Sequence, residues 1–358
     1  MSDPSPLAPS LLRAMADPAI ERKVIDGFQF PLGTYPTESA SPAAAYTVQF
    51  EAADGSDPAA FTGANFGEDL EEWPDRYVFD ILVSHERLRA LCRALFAFLP
   101  GRFYPILDIL GHDAYREIDP YIAYELVGSE KFYDALRFFD PFLFEDGLVG
   151  FGAMSVDPFF YVFVDEHKVV TLRVVPEMKE KAEKLLAAFD LRPVEELASV
   201  DSVSHEHRGV IVSPDDRPEM LTPDEIIERF RDNWLLQLNI DPATNLDADG
   251  NELGITAWQC ITRCTPSDED KQDSYAEVLL MAANLGDAEE IAAEAVSPKD
   301  TKTPEWDEIE VIRADRLTLE QLDDWLPESK RGPEKKAGLL DLRWLSGGPL
   351  AKKKKKSE

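Results

Sequence analysis

The chain has 358 residues, of which 37 are Lys or Arg and 69 are Asp or Glu, so its formal net charge at pH 7 is -32. This charge excludes a nucleic-acid-binding body, because contacts to phosphate groups are made by clustered basic side chains. An apolar content of 44% is enough for packed cores and excludes a wholly disordered chain, and the length predicts about two domains.

The first 75 residues are rich in Pro, Ala, Ser, Gly and acidic residues, and only residues 46–50 have the pattern of a strand. We expect a loosely structured extension that adds an edge strand to the domain that follows. The N-terminal residues have neither the basic segment nor the apolar segment of a secretory signal, and no run reaches the roughly 18 apolar residues of a membrane span. We therefore expect a cytoplasmic protein without a membrane span.

Residues 76–192 have the pattern of an α+β domain. A β-type run at 77–83 is followed by Ser84, a residue type that favours a helix N-cap, and then by apolar residues every three or four positions. Residues 103–110 form a second β-type run. This order predicts a strand, a helix and a strand.

The rest of this domain begins with a short helix from Ser129. Three closely spaced apolar runs within residues 143–175 are separated by turn residues and predict an antiparallel β-meander. Pro176 then stands at the first position of another helix. We predict a mixed or antiparallel sheet with helices packed on one face.

Residues 193–208 have the polar composition of a linker, and a smaller α+β domain is predicted at 209–327. Two of its helix starts are marked by capping boxes, one at Thr222 with Glu225 and one at Thr318. Between them we predict a hairpin, a short helix and a strand. This unit is predicted to have a ferredoxin-like arrangement.

Residues 328–358 form a basic tail with ten basic and four acidic residues, so the local charge is +6 and the remaining body is near -38. Near its end the tail has five consecutive lysines, of which Lys352 is the first and Lys356 the last. We expect it to be disordered, and to dock on a protein partner, an anionic membrane surface or RNA, or simply to keep the terminus solvated. The apolar residues for such docking are Leu339, Leu340, Leu342, Trp344 and Leu345.

His205 and His207 are the candidate metal ligands, because alternate residues of a strand point to the same side. A metal site needs three or four ligands, and Asp201 is the best additional residue nearby. Since this set is incomplete, we expect linker histidines, no metal and no cofactor.

Titratable side chains are concentrated between residues 111 and 125, directly after a predicted strand. Loops at strand ends often carry binding groups, because a rigid scaffold positions them. Arg116, Tyr121 and Tyr124 are the candidate ligand-binding residues, and Asp113 and Glu117 are the candidate catalytic acids or bases. The alternative is a solvated connection with local ion pairs.

No motif in the chain is specific enough to indicate a family, and no complete catalytic constellation can be assembled. Our leading hypothesis is therefore a non-enzymatic cytoplasmic protein that works by binding a protein partner. One alternative is an enzyme that acts on a small polar substrate at residues 111–125. A second alternative is an acidic decoy for a nucleic-acid-binding protein, with nucleic-acid contact by this chain restricted to the lysine tail.

Overall fold

The computed structural model describes residues 12–38, 41–53, 73–267, 272–297, 306–326 and 336–348, except the side chain of Asp201. The described residues divide into two compact units, and the first contains those up to residue 110 and those from 118 to 240. The second contains residues 111–117 and the described residues from 241 onward. The second unit therefore takes a short segment from within the sequence of the first.

The first unit is built on antiparallel strands. The strands are β1 Met15–Ala16, β2 Val24–Ile25, β3 Phe28–Gln29, β4 Thr34–Pro36, β5 Ala45–Glu51, β6 Arg76–Leu82, β7 Arg102–Leu110, β8 Ile118–Ala123, β9 Val127–Gly128, β10 Val149–Val156, β11 Phe159–Val164, β12 Val170–Val174, β13 His205–His207, β14 Ile211–Val212 and β15 Leu236–Leu238. The main sheet has the order β15-β8-β7-β10-β11-β12-β6-β5, and β9 also pairs with β7. The predicted meander is confirmed as β10, β11 and β12, and the predicted edge strand is β5.

Helices cover the apolar face of this sheet. They are α1 His85–Phe96, α2 Ser129–Phe138, α3 Asp140–Phe144, α4 Lys179–Ala188 and α5 Pro223–Trp234, with single 3-10 turns at Pro176–Met178 and Val200–Ser202. Each of the α-helices contributes side chains to one core with the sheet. Phe132 and Trp234 stack there with ring centroids 4.9 Å apart. The helices predicted at Ser84 and Ser129 are confirmed.

The first unit extends further along the chain than the sequence indicated. Helix α5 was predicted to begin the second domain at 209–327, but its buried Ile226 and Phe230 lie in the core of the first unit. Strand β15 continues from α5 and pairs with β8 in the main sheet. The predicted linker at 193–208 contains β13, which pairs with β4. Because the apolar face of α5 packs in the core of the first unit, the division between the units lies at residue 241 and not at 209.

The described part of the second unit is an antiparallel sheet with two helices. Its elements are β16 Thr256–Pro266, β17 Ser274–Ala282, α6 Leu285–Val296, β18 Trp306–Leu317, α7 Leu319–Trp325 and β19 Gly338–Ser346. The strands have the order β18-β16-β17-β19. The element order is ββαβαβ, which differs from the βαββαβ order of the ferredoxin-like arrangement that we predicted. Both predicted capping boxes, at Thr222 and Thr318, are confirmed.

Strand β19 comes from the segment that the sequence indicated as a disordered tail. It pairs with β17 because its alternate residues Leu340, Leu342 and Trp344 are half-buried against the unit. Leu339 and Leu345 remain about half exposed, at 47% and 49%. The terminal lysines, including Lys352 and Lys356, lie outside the described residues.

The two units together confirm the predicted α+β fold class, since both combine antiparallel sheets with helices. Within the described residues, none of the helices has the length and apolar character that crossing a membrane requires.

Candidate metal centre

Strands β4 and β13 form a two-stranded ribbon that carries two of the candidate ligands. In the antiparallel register His205 is opposite Pro36 and His207 is opposite Thr34. Both histidines are partly buried whereas Glu206 between them is exposed. The two imidazole rings therefore lie on the same face of the ribbon, as the spacing in the sequence predicted.

The turn between β11 and β12 brings a third histidine to this face. Asp165 closes the turn, because its backbone carbonyl accepts from the N–H of Lys168 and its Oδ1 accepts from the N–H of Val169. Lys168 has a φ of 65°, the left-handed conformation that allows the sharp reversal. The turn directs His167 toward the ribbon, and its Nε2 lies 3.0 Å from Nε2 of His205.

The three imidazoles converge through their Nε2 atoms. Nε2 of His205 lies 3.2 Å from Nε2 of His207, and one ring nitrogen from each of the three residues lies within 4.8 Å of the others. A tetrahedral zinc ion with Zn–N bonds of about 2.0–2.1 Å requires its nitrogen ligands to be about 3.3 Å apart. We call His167, His205 and His207 the three-histidine site.

Hydrogen bonds at the opposite ring nitrogens assign the tautomers of two of these residues. Nδ1 of His205 lies 2.8 Å from the carbonyl oxygen of Val203, and Nδ1 of His207 lies 2.8 Å from that of Gly147. A carbonyl oxygen only accepts, so each Nδ1 carries a proton and donates it. In the neutral rings both Nε2 atoms then present lone pairs to each other, with no hydrogen between them. A bound cation satisfies both.

Two glycines allow the backbone segments around the site to approach each other. Gly33 donates its N–H to the carbonyl of Glu145, and Gly147 donates to the carbonyl of Arg208. Arg208 in turn donates to the carbonyl of Gly33 at 2.8 Å. A Cβ atom on Gly147 would lie 2.6 Å from the carbonyl carbon of Gly33, closer than real Cβ atoms approach. This contact fixes the carbonyl that holds His207.

A buried lysine and a buried aspartate lie beside the site. Lys168 is 3% exposed and donates from Nζ to the carbonyl of Val149. Burial lowers the pKa of Lys168 to about 8, although the charge of Asp146 opposes this change. Asp146 accepts from the N–H groups of Leu148 and Val210, and burial raises its pKa. These bonds hold the segment before β10 against the segment after β13.

Two carboxylates lie near the other nitrogen of His167. Oε1 of Glu166 is 3.4 Å from Nδ1 of His167, and Oδ2 of Asp165 is 3.8 Å from it. A carboxylate in this position favours the tautomer with the proton on Nδ1, in which Nε2 carries the lone pair that a metal ion would use. Burial, with a smaller contribution from the neighbouring His167 and His205, lowers the pKa of His207. A lowered pKa favours the neutral imidazole, the form that binds metals.

Glu145 connects this region to the N-terminal part of the first unit. Its carboxylate accepts from Arg22 at 2.8 Å and from the N–H of Leu32 at 3.2 Å. Oε1 also lies 2.7 Å from Nε2 of His85 and 3.1 Å from Arg89. Burial opposes ionisation, but the hydrogen bonds from His85 and Arg22 outweigh it and hold the pKa of Glu145 well below its usual range.

The predicted substrate residues of the segment 111–117 lie in the second unit. Both carboxylate oxygens of Asp113 accept from Arg316, at 2.9 and 3.0 Å from Nε, and Oδ2 also accepts from the backbone N–H of Arg316. Arg116 lies 3.7 Å from the same carboxylate. Glu117 is exposed, and its carbonyl accepts from the N–H of Gly111. Asp113 and Arg116 are thus brought together around a buried ion pair.

Tyr121 and Tyr124, the other predicted ligand-binding residues, belong to the first unit and lie on opposite faces of the main sheet. Tyr121 is buried in the core beneath the helices. Tyr124 packs in the cluster on the other face and donates from its hydroxyl to Oδ1 of Asn239 at 2.9 Å. The structure does not bring these two side chains together.

His167 is the residue that the sequence analysis missed. The sequence places it in a turn of the predicted meander. Because it stands 38 positions before His205, its sequence spacing gives no indication of a shared site. Its one local signal is its place in a tight turn between two apolar strands, directly after two acidic residues. The side chain of Asp201, which we predicted as the additional ligand, lies outside the described residues.

Comparisons with known proteins gave no relative. No model of a protein family matches the chain, and neither a curated protein nor a solved structure matches it. The function is therefore argued from the three-histidine site alone.

Proposed function

We propose that this protein binds one divalent transition-metal ion through Nε2 of His167, His205 and His207. The observation that supports the proposal is the pair of Nε2 atoms 3.2 Å apart on rings whose Nδ1 protons are already donated to carbonyl oxygens. When both imidazoles are uncharged and no cation is bound, the lone pair of one Nε2 faces the lone pair of the other. With a cation bound, every ring nitrogen of His205 and His207 has a partner.

The ligand atoms favour a particular class of metal. Imidazole nitrogen suits Zn²⁺, Cu²⁺, Ni²⁺ and Fe²⁺, whereas Mg²⁺ and Ca²⁺ prefer oxygen ligands. The separations of 3.0 and 3.2 Å between Nε2 atoms are close to the edge of a zinc tetrahedron. We therefore expect Zn²⁺ to be the ion bound in the cell and Co²⁺ to replace it as a spectroscopic probe.

We predicted from the sequence that the protein works by binding, and the proposed ligand is now a metal ion. This proposal replaces our expectation that the chain holds no metal. Cytoplasmic location and a protein partner remain predictions. So do the alternatives of an enzyme at residues 111–125 and of an acidic decoy, since no specific observation favours either.

The test is calorimetric titration of tag-free, chelator-treated protein with Zn²⁺. Excess Mg²⁺ in the buffer occupies the many surface carboxylates, which prefer hard cations. We expect one ion per chain. Replacing His205 or His207 with Ala is expected to weaken binding by more than the roughly 10- to 100-fold that follows the loss of a group orienting a ligand.

His112→Ala is the matched control, because His112 is an exposed histidine of the second unit. This variant is expected to bind Zn²⁺ as the wild-type protein does. Unchanged affinity in His167→Ala, His205→Ala and His207→Ala, with folding verified by circular dichroism, would contradict the proposal.

A further inference from the structure

The described part of the chain gives the three-histidine site three nitrogen ligands. The side chain of Asp201, which the sequence predicted as an additional ligand, lies outside the described residues and is tested below by substitution. The sequence has five histidines and three cysteines, and all of them are described. In the first unit the two others are His85, whose Nε2 contacts Glu145 and Arg89, and Cys92, which is fully buried in the apolar core. Neither contributes to the site. Among the described residues, the one other cluster with metal-ligand chemistry is Asp165, Glu166 and His167.

The carboxylates of that cluster approach His167 from the side of Nδ1. The separations of 3.4 Å for Glu166 and 3.8 Å for Asp165 are to this nitrogen. A metal bound at Nε2 lies at a different edge of the ring. Glu166 therefore orients His167 and strengthens it as a ligand, as carboxylates next to metal-binding histidines do.

Solvent reaches the three-histidine site. The side chain of His167 is 15% exposed, and that of Glu166 is 17% exposed. His205 and His207 are also partly exposed. A structural zinc ion has four protein ligands and is closed to water, whereas a zinc ion with three protein ligands keeps a position for water or substrate.

We propose that the metal ion has one coordination position open to water or to a small monodentate anion. This inference rests on the proposed function, because it concerns the ion held by His167, His205 and His207. It places the ion among reactive metal centres that exchange a ligand with solvent. The ligand class is a small anion with a single donor atom, for which azide is the probe.

The experiment uses full-length protein loaded with one equivalent of Co²⁺, whose visible spectrum responds to the number and type of its ligands. Sodium azide is then added in steps. We expect a saturable change in the cobalt absorption that fits one azide per ion. If Co²⁺ binds but the spectrum does not respond to azide, the open position is refuted while the proposed function stands. If Co²⁺ does not bind, the proposed function itself fails.

The variant Glu166→Gln distinguishes two roles for Glu166, that of a carboxylate that orients His167 and that of a fourth metal ligand. As an orienting residue, Glu166 is expected to affect cobalt affinity by roughly 10- to 100-fold, with the azide response kept in the variant. An azide response in Glu166→Gln or in Asp201→Asn that the wild-type protein lacks would show that the replaced carboxylate fills the fourth position, and would overturn the inference.

Discussion

Replacing Gly147 with Ala tests how the three-histidine site is built. The new Cβ would lie 2.6 Å from the carbonyl carbon of Gly33 and 3.1 Å from its Cα, and it would also overlap the Gly33 carbonyl oxygen. The obstacle is backbone on both sides, so rotation of a side chain cannot relieve it. The segments containing Gly33 and Gly147 must separate.

Two effects are expected to lower the free energy of unfolding of Gly147→Ala. Inserting a methyl group where no space exists costs about 1–3 kcal/mol. Separation also weakens the bonds from Gly33 to Glu145 and from Gly147 to Arg208, each worth about 1 kcal/mol. When both bonds are lost, the sum is about 3–5 kcal/mol. For a unit of this size, about 2–4 °C of melting temperature is lost per kcal/mol, so we expect a decrease of roughly 6–20 °C.

The assay is thermal unfolding of the metal-free protein, followed by zinc titration below the transition. Because the Gly147 carbonyl orients His207, we also expect zinc affinity to fall by roughly 10- to 100-fold. Gly101→Ala is the matched control in the same unit, since a Cβ there has no atom within 4 Å. A Gly147→Ala protein with wild-type melting temperature and zinc affinity would refute the reasoning.

Two further predictions concern buried carboxylates. Because the folded-state pKa of Glu145 lies below its usual 4.5, the carboxylate stabilises the fold above about pH 4.5 and this stability is lost as the pH falls. Urea unfolding between about pH 7 and pH 3 should therefore show a steeper acid loss in wild type than in Glu145→Gln; parallel losses would contradict this. Asp113→Ala leaves buried Arg316 without its carboxylate and should lower the free energy of unfolding by about 3–5 kcal/mol. Asp134→Ala is the control, because Asp134 forms an exposed ion pair, and it should lower the free energy of unfolding by about 1 kcal/mol or less. Equal decreases in the two variants would rule out a structural role for the Asp113 pair.

Local chemistry made parts of the fold predictable. The helix starts at Thr222 and Thr318 depend on residues within three positions, and both capping boxes form. Ser84 shows where such local reasoning stops. It precedes α1 as predicted, but its hydroxyl accepts from the N–H of Gln29, which is 55 positions away. A hydrogen-bonding group used across the fold leaves no local signature.

Only part of the candidate site could be predicted from the sequence, because the contacts that complete it join residues far apart in the chain. The spacing of His205 and His207 places them on one face of any strand, so that part follows from the sequence. His167 joins them only because β13 pairs with β4 and because Gly33 and Gly147 let their segments touch. These pairings connect residues far apart in the chain. Residues 193–208 were predicted as a linker because their composition is polar, and the three-residue strand β13 within them is too short to show an apolar period.

The insertion of residues 111–117 has a consequence for how the second unit is completed during synthesis. Asp113 leaves the ribosome 203 residues before Arg316, the side chain that it contacts. Until Arg316 appears, the Asp113 carboxylate must stay hydrated. A fragment that starts at residue 241 would never meet this partner and would carry a buried guanidinium with no counterion. We therefore expect the smaller unit, when it is expressed from residue 241, to be less stable than in the full chain unless the heptapeptide 111–117 is supplied with it.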